Sequence, residues 1–147
     1  MKFKILTLFP EIFPGPLTHS ISGKALSKKL FSIETFNIRK FSDKKSKTVD
    51  DSPYGGGAGM ILRPDCMQNT LDHVLKKSNC KNKIIFPSPG GKQLNSKMIK
   101  EFMFFEELII ICGRYEGIDN RFLEHNKIQE VSVGDYILSC GEIASII

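Results

Sequence analysis

The sequence predicts an α/β fold: a mainly parallel sheet flanked by helices. Two observations carry this. Short β-branched or aromatic runs alternate along the chain with stretches of helical period. One run, ELIIIC (107–112), is almost wholly apolar and reads as a strand buried on both faces.

The elements follow in order. KFKILTLF (2–9) has the length of a buried strand and is stopped by Pro10. GPLTHSISGKALSKKL (15–30) places Leu17, Ile21, Ala25 and Leu26 at helical spacing. FSIETFNI (31–38) reads as a second strand. Pro64 sits where a first helical turn tolerates it, and Met67, Leu71, Val74 and Leu75 follow on one face. KIIF (83–86) is a short strand ending at Pro87, and NSKMIKEFMFF (95–105) is a helix capped by Asn95 or Ser96. After the buried strand, GIDNRFLEHN (117–126) reads as a short helix and KIQEVSV (127–133) as another strand. GEIASII (141–147) begins a helix without a terminal cap, as in a chain cut off in mid-element.

With 147 residues and 41% hydrophobic content, the chain has enough for one domain with a real core. No apolar run reaches the ~18–20 residues of a membrane span, and no signal-peptide pattern opens the chain. Cys66, Cys80, Cys112 and Cys140 include no Cys-x-x-Cys pair, and His19, His73 and His125 are scattered. Such spacing points to no metal site and no disulfide scaffold, but to reduced thiols in a cytoplasmic protein. The net charge of +5 is concentrated between Lys24 and Lys47, where eight basic residues face only Glu34 and Asp43. A polyanion would meet this footprint, although a solvated lysine face has the same composition.

The segment VDDSPYGGGAGMILRP (49–64) puts four glycines in five positions behind two aspartates, a proline and a tyrosine. A flexible linker would carry Ser, Asn or Lys among its glycines. Here Tyr54, Met60, Ile61 and Leu62 favour a ligand-facing loop. Ligands of open α/β sheets bind beyond the carboxyl ends of strands. Three strand exits are rich in turn formers: FPSPGG (86–91), CGRYEGID (112–119) and VGDYILSCG (133–141). The familiar phosphate motifs fail. A Walker loop would need glycine where Phe86 stands and Ser or Thr at Gln93. A dinucleotide fingerprint from Gly55 would need glycine at Met60.

Together, ILTLFPEIF, DDSPYGGGAGM, FPSPGG, ICGRYEGIDNR and VSVGDYILSCGE resemble the successive motifs of the bacterial tRNA (guanine-N1)-methyltransferases, the TrmD family of the SPOUT superfamily. The match runs from Lys2 to Glu142. The resemblance implies a SPOUT-type domain over residues 1–147 with a C-terminal trefoil knot, truncated before a helical C-terminal domain. It implies S-adenosylmethionine as cofactor, held by Phe86, Pro87, Ser88 and Pro89, by Gly113, Tyr115, Glu116 and Gly117, and by Ser132, Val133, Gly134, Asp135, Tyr136, Ile137, Leu138 and Gly141.

The substrate implied is the anticodon stem-loop of tRNA, methylated at N1 of the guanine 3′ of the anticodon. Asp50, Tyr54, Gly55, Gly56, Gly57, Gly59, Met60 and Arg114 would face it. The family is a homodimer, and its general-base aspartate would lie beyond Ile147, in a linker supplied by the partner subunit. Read by themselves, Asp50 and Asp51 could cap a turn, Glu116 and Asp119 could serve a helix start, and Arg114 could make a structural ion pair. Cys140 stands where the family has glycine, which would strain a left-handed backbone or a tight contact. The competing reading is a non-catalytic RNA-binding module.

Overall fold

The ELIII run is buried at every position and forms the middle strand of a five-stranded sheet. The computed structural model describes all 147 residues, Met1–Ile147. In chain order the elements are β1 (Lys2–Thr7), α1 (Ser20–Ser27), β2 (Ser32–Asn37), β3 (Asp50–Asp51), β4 (Ile61–Leu62) and α2 (Pro64–Lys76). There follow β5 (Asn82–Gln93), α3 (Ser96–Phe102), β6 (Glu107–Ile111), α4 (Asn120–His125), β7 (Gln129–Ser132) and α5 (Gly141–Ile146). The large sheet has the order β2-β1-β6-β5-β7, and every neighbouring pair is parallel. All its carboxyl ends therefore open on one side.

Period-two alternation divides the core. Ile109 and Ile111 pack in one cluster with Met67, Leu71 and Val74 of α2 and Phe122 and Leu123 of α4. Leu108 and Ile110 belong to a second cluster with Met98 and Phe102 of α3. Helices cover that second face only in part. An apolar trough of about 850 Å³ remains, lined by Phe3, Ile5, Ile33, Leu108 and Ile110 among others. No helix is long and apolar enough to cross a membrane.

Three local differences from the sequence reading have physical causes. The segment 15–30 is not one helix: a 3-10 turn over Gly15–Thr18 precedes α1, and Ser20 at φ 53° breaks the run between them. The strand at KIIF does not end at Pro87. It continues to Gln93, with Val131 of β7 opposite both Pro87 and Lys92 and residues 88–91 looped out. Pro87 and Pro89 have no N–H to donate, so the ladder is interrupted there and resumes beyond. Third, the short antiparallel pair β3–β4 closes the base of the glycine segment, which is a hairpin.

At the amino ends of the strands, Lys4 and Glu107 form a buried ion pair of 3.0 Å, their side chains 5% and 2% exposed. Ser78 Oγ also donates to Glu107 (2.5 Å). Burial pushes the Glu107 carboxyl up, but hydrogen bonds from Ser78, Lys4 and Cys80 outweigh it and hold it below its ordinary value. Removing one member of such a pair strands the other charge. Glu107→Gln should therefore cost about 3–5 kcal/mol in urea denaturation near neutral pH. The depressed carboxyl contributes stability above the unfolded pKa of about 4.3 and loses it as pH falls through the folded value. The two proteins should thus converge in acid; equal stability at pH 7 would disprove the assignment.

Candidate active site

Beside the looped-out part of β5 and the carboxyl ends of β6 and β7 lies a cavity of about 450 Å³, within the range of small-molecule sites. Its wall is the bulge Pro87–Pro89, the segment Gly113–Ile118 and the segment Ser132–Gly141. The three segments singled out in the sequence thus converge, two as exits of the parallel strands β6 and β7 and FPSPGG as the interruption within β5 beside them. Every residue expected at the cofactor lines the cavity except Asp135, which is exposed and off the wall. Sequence reasoning gave no role at the cofactor to Ile118, Asn120, Leu123, Glu130, Val131, Ser139 or Ala144, which also line it, as does Cys140, whose contact it had raised. Glu130 carried no motif, only a place on the edge strand β7.

The wall is fixed by close backbone packing. Gly141 donates its N–H to the Gly113 carbonyl (3.0 Å) and sets α5 against the end of β6. A Cβ at Gly141 would lie 2.5 Å from Gly113 N and 2.8 Å from Cys112 Cα. Behind the wall, Glu142 is wholly buried; it accepts from Thr7 Oγ1 (2.6 Å) and from Arg114 Nε (3.0 Å). The Arg114 guanidinium also lies 4.4 Å over the Phe9 ring. Arg114 therefore makes a structural ion pair, and it lines the cavity as well. Tyr115 takes φ 58°, an uncommon left-handed conformation for a non-glycine residue.

Cys140 carries no backbone penalty. Its φ of −162° and ψ of 152° are extended, and any residue adopts them. The strain expected from replacing glycine there is absent. Burial pushes the neighbouring Cys112 thiol up to about 12, so it stays protonated, beside Ser145 Oγ at 3.3 Å.

Asp50, Tyr54, the four loop glycines and Met60 do not line the cavity. They form the hairpin beside it. Glu116 N–H donates to the Met60 carbonyl (2.9 Å) and Leu62 N–H to the Gly117 carbonyl (3.0 Å), docking the loop on the cavity wall. Gly55, Gly56, Gly57 and Gly59 all have φ between 83° and 128°, the region that favours glycine. A Cβ on any of the first three would meet nothing within 4 Å. All four serve the path of the backbone; Gly55, Gly56 and Gly57 leave the space above it open, while a Cβ at Gly59 would lie 2.5 Å from Glu116 Cγ.

The basic residues between Lys24 and Lys47 are all exposed. The turn carrying Lys44, Lys45 and Lys47 is anchored at its flanks: Asn69 Nδ2 of α2 donates to Asp43 Oδ2 (3.1 Å), and Ser42 Oγ donates to the Thr48 carbonyl (2.8 Å).

Gly141 is the position where substitution should be felt first. Its nearest neighbours are backbone atoms that cannot swing aside, so Gly141→Ala should destabilise the fold by at least ~1–3 kcal/mol. Cys140→Gly should be far milder. Thermal melts of the two variants check this, and an unperturbed Gly141→Ala would refute the packing argument.

The sequence profile of the family described as "tRNA (Guanine-1)-methyltransferase TrmD" matches residues 1–147. Proteins named tRNA (guanine-N(1)-)-methyltransferase are among its similar relatives. That of Ehrlichia canis (strain Jake) is 45% identical over 147 residues, 100% of this chain and 62% of the relative. That of Rickettsia rickettsii (strain Sheila Smith) is 48% identical over 142 residues, 97% of this chain and 60% of the relative. That of Wolbachia pipientis is 47% identical over 143 residues, 97% of this chain and 61% of the relative. The chain thus spans less than two thirds of the length of these relatives. Matched from its first residue to its last, the chain belongs to the TrmD family of tRNA (guanine-1)-methyltransferases.

Proposed function

We propose that this chain is the cofactor-binding domain of an enzyme that methylates N1 of the guanine 3′ of the anticodon in tRNA, with S-adenosylmethionine as donor. The observation that carries the reading is the cavity at the strand exits and its donor set. Two carboxylates, Glu116 and Glu130, line it against one guanidinium, Arg114, already paired with Glu142. Such a wall repels a polyphosphate and suits a sulfonium cation. Half-exposed Tyr115 and Tyr136 supply flat faces, and the narrow places are glycine: a Cβ at Gly113 would come within 2.7 Å of Phe86 Cε2. A neutral adenosine with a cationic sulfur fits these residues.

Bound there, S-adenosylmethionine supplies an electrophilic methyl group. The protein's task is to orient that group against guanine N1 and to take the N1 proton, and positioning of this kind lowers the barrier by several kcal/mol. The target base must leave its stack to be reached. The open space over the glycine hairpin, beside the cavity wall, is where we place it. The exposed lysines of residues 24–47 supply sequence-independent attraction for the RNA backbone. Glu142 and Asp119 are committed to Arg114 and Arg121. The base is assigned to an aspartate outside residues 1–147, in the part of the relatives this chain does not span.

Two measurements test the reading. In thermal-shift experiments S-adenosylmethionine and its demethylated product should raise the melting temperature more than ATP or NAD, and the reverse order would sink the methyltransferase assignment. In single-turnover transfer to unmodified tRNA, residues 1–147 should run ~10²–10⁴-fold slower than a chain extended to the relatives' length. Equal rates would place the base within residues 1–147, with Asp50 and Glu116, which make no ion pair, as the candidates. RNA binding without donor binding would support the non-catalytic module instead.

The reading includes a homodimer. The partly covered sheet face and the exposed Ile99, Met103 and Phe104 beside it form an apolar surface of the kind that marks interfaces. Sedimentation at tens of micromolar should show a dimer; a strict monomer would remove this part.

A further inference from the structure

Tyr54 stands where folding gives it no work. It is 84% exposed, between Pro53 and the run Gly55–Gly57, on a hairpin with open space around those three glycines. Yet one face of its ring is occupied: the Arg121 guanidinium lies 4.4 Å from the ring centroid. Arg121 is itself held. Its Nε donates to Asp119 Oδ1 (2.9 Å) and its terminal nitrogen to Asp119 Oδ2 (2.5 Å), a bidentate pair. Asp119 is anchored in turn as the cap of α4, accepting from the Arg121 N–H (2.9 Å), and its side chain is only 8% exposed. The hydrogen bond from Arg121 holds the Asp119 carboxyl below its usual range, so the pair stays ionised through neutral pH.

We infer that Tyr54 is a stacking platform for a nucleobase of the RNA substrate, and that Arg121, fixed by Asp119, is the positioning residue that sets the ring. The inference rests on the RNA reading above. A guanidinium over an exposed ring restricts its rotamers before the ligand arrives, which lowers the ordering cost of binding. The opposite face stays available, and every base has a π-face to offer it. The platform is on the rim of the cavity, because Met60 and Leu62 of the same hairpin are tied to Glu116 and Gly117. The Arg121 charge is neutralised by Asp119, so its effect passes through the ring and not through a phosphate contact.

The test uses anticodon stem-loop hairpins, each with one loop base replaced by 2-aminopurine, whose emission stacking quenches. With the 147-residue chain, one loop position should lose emission on binding. Tyr54→Phe should keep the signal. Tyr54→Ala should abolish it and weaken binding roughly 5- to 100-fold, with an unchanged salt slope. Arg121→Ala and Arg121→Lys should both weaken the signal, since lysine keeps the charge but not the planar fork. The double variant Tyr54→Ala, Arg121→Ala should bind no worse than Tyr54→Ala alone. Tyr54→Phe and Tyr54→Ala should melt with the parent, because that ring is 84% exposed, whereas Arg121→Ala leaves the 8% exposed Asp119 carboxylate without its partner and should melt lower, so its binding is compared below its own transition.

Full rescue by Arg121→Lys, or losses that multiply in the double variant, would overturn the positioning role. Binding that responds to Lys44→Glu with Lys45→Glu but ignores Tyr54→Ala would overturn the platform and leave the RNA reading standing. No binding of any hairpin by the parent chain would overturn both.

Discussion

A single wholly buried carboxylate, Glu142, joins three segments that are far apart in the chain. Thr7 at the end of β1 and Arg114 in the exit of β6 both donate to it, and it is the second residue of α5. An unpaired charge at this depth would cost several kcal/mol, so the three partners must arrive together. Their arrival sets α5 across the end of β6 and gives the cavity its back wall. Gly141 sharpens the constraint, since its missing side chain lets two backbones touch where a Cβ would collide.

The sheet is thus tied by charge at both ends. Lys4 and Glu107 link neighbouring strands β1 and β6 at their amino ends, while Arg114 and Glu142 link the carboxyl end of β6 to a helix. The first pair lies away from the cavity and has a structural role. The second shares a residue with the cavity wall, since Arg114 both pairs with Glu142 and lines the cavity. The sequence left Arg114 open between an ion-pair partner and a site residue; the structure shows the ion pair and a place on the cavity wall.

Charge also separates the proposed tasks in space. The cavity carries more carboxylate than free cation, which favours a cationic cofactor. The lysines are exposed on the segment from α1 through β2 to the turn before β3, which favours an RNA backbone. The glycine hairpin stands at the cavity rim and touches the wall by backbone hydrogen bonds. A reaction that brings a small cation and a polyanion to one point needs these opposite fields close together but not merged.

Much of this was legible in the sequence. The continuous apolar run ELIII and the helical spacing of Met67, Leu71 and Val74 determined the α/β class, because burial on both faces of a strand or on one face of a helix leaves its own pattern in the residues. Asn95 and Pro64 marked helix starts through local hydrogen bonding and fixed φ, which depend only on near neighbours. The five motifs determined the family. The tertiary structure alone decided the rest. Glu130, Leu123 and Ala144 reach the cavity through the packing of β7, α4 and α5, which no local pattern encodes. The strand continuing past Pro87 depends on β7 being there to resume the ladder. The partners of Glu142 and Tyr54 are brought together over sequence separations that periodicity cannot span. Local chemistry writes an element into its own residues, whereas a contact between distant segments exists only once the chain has packed.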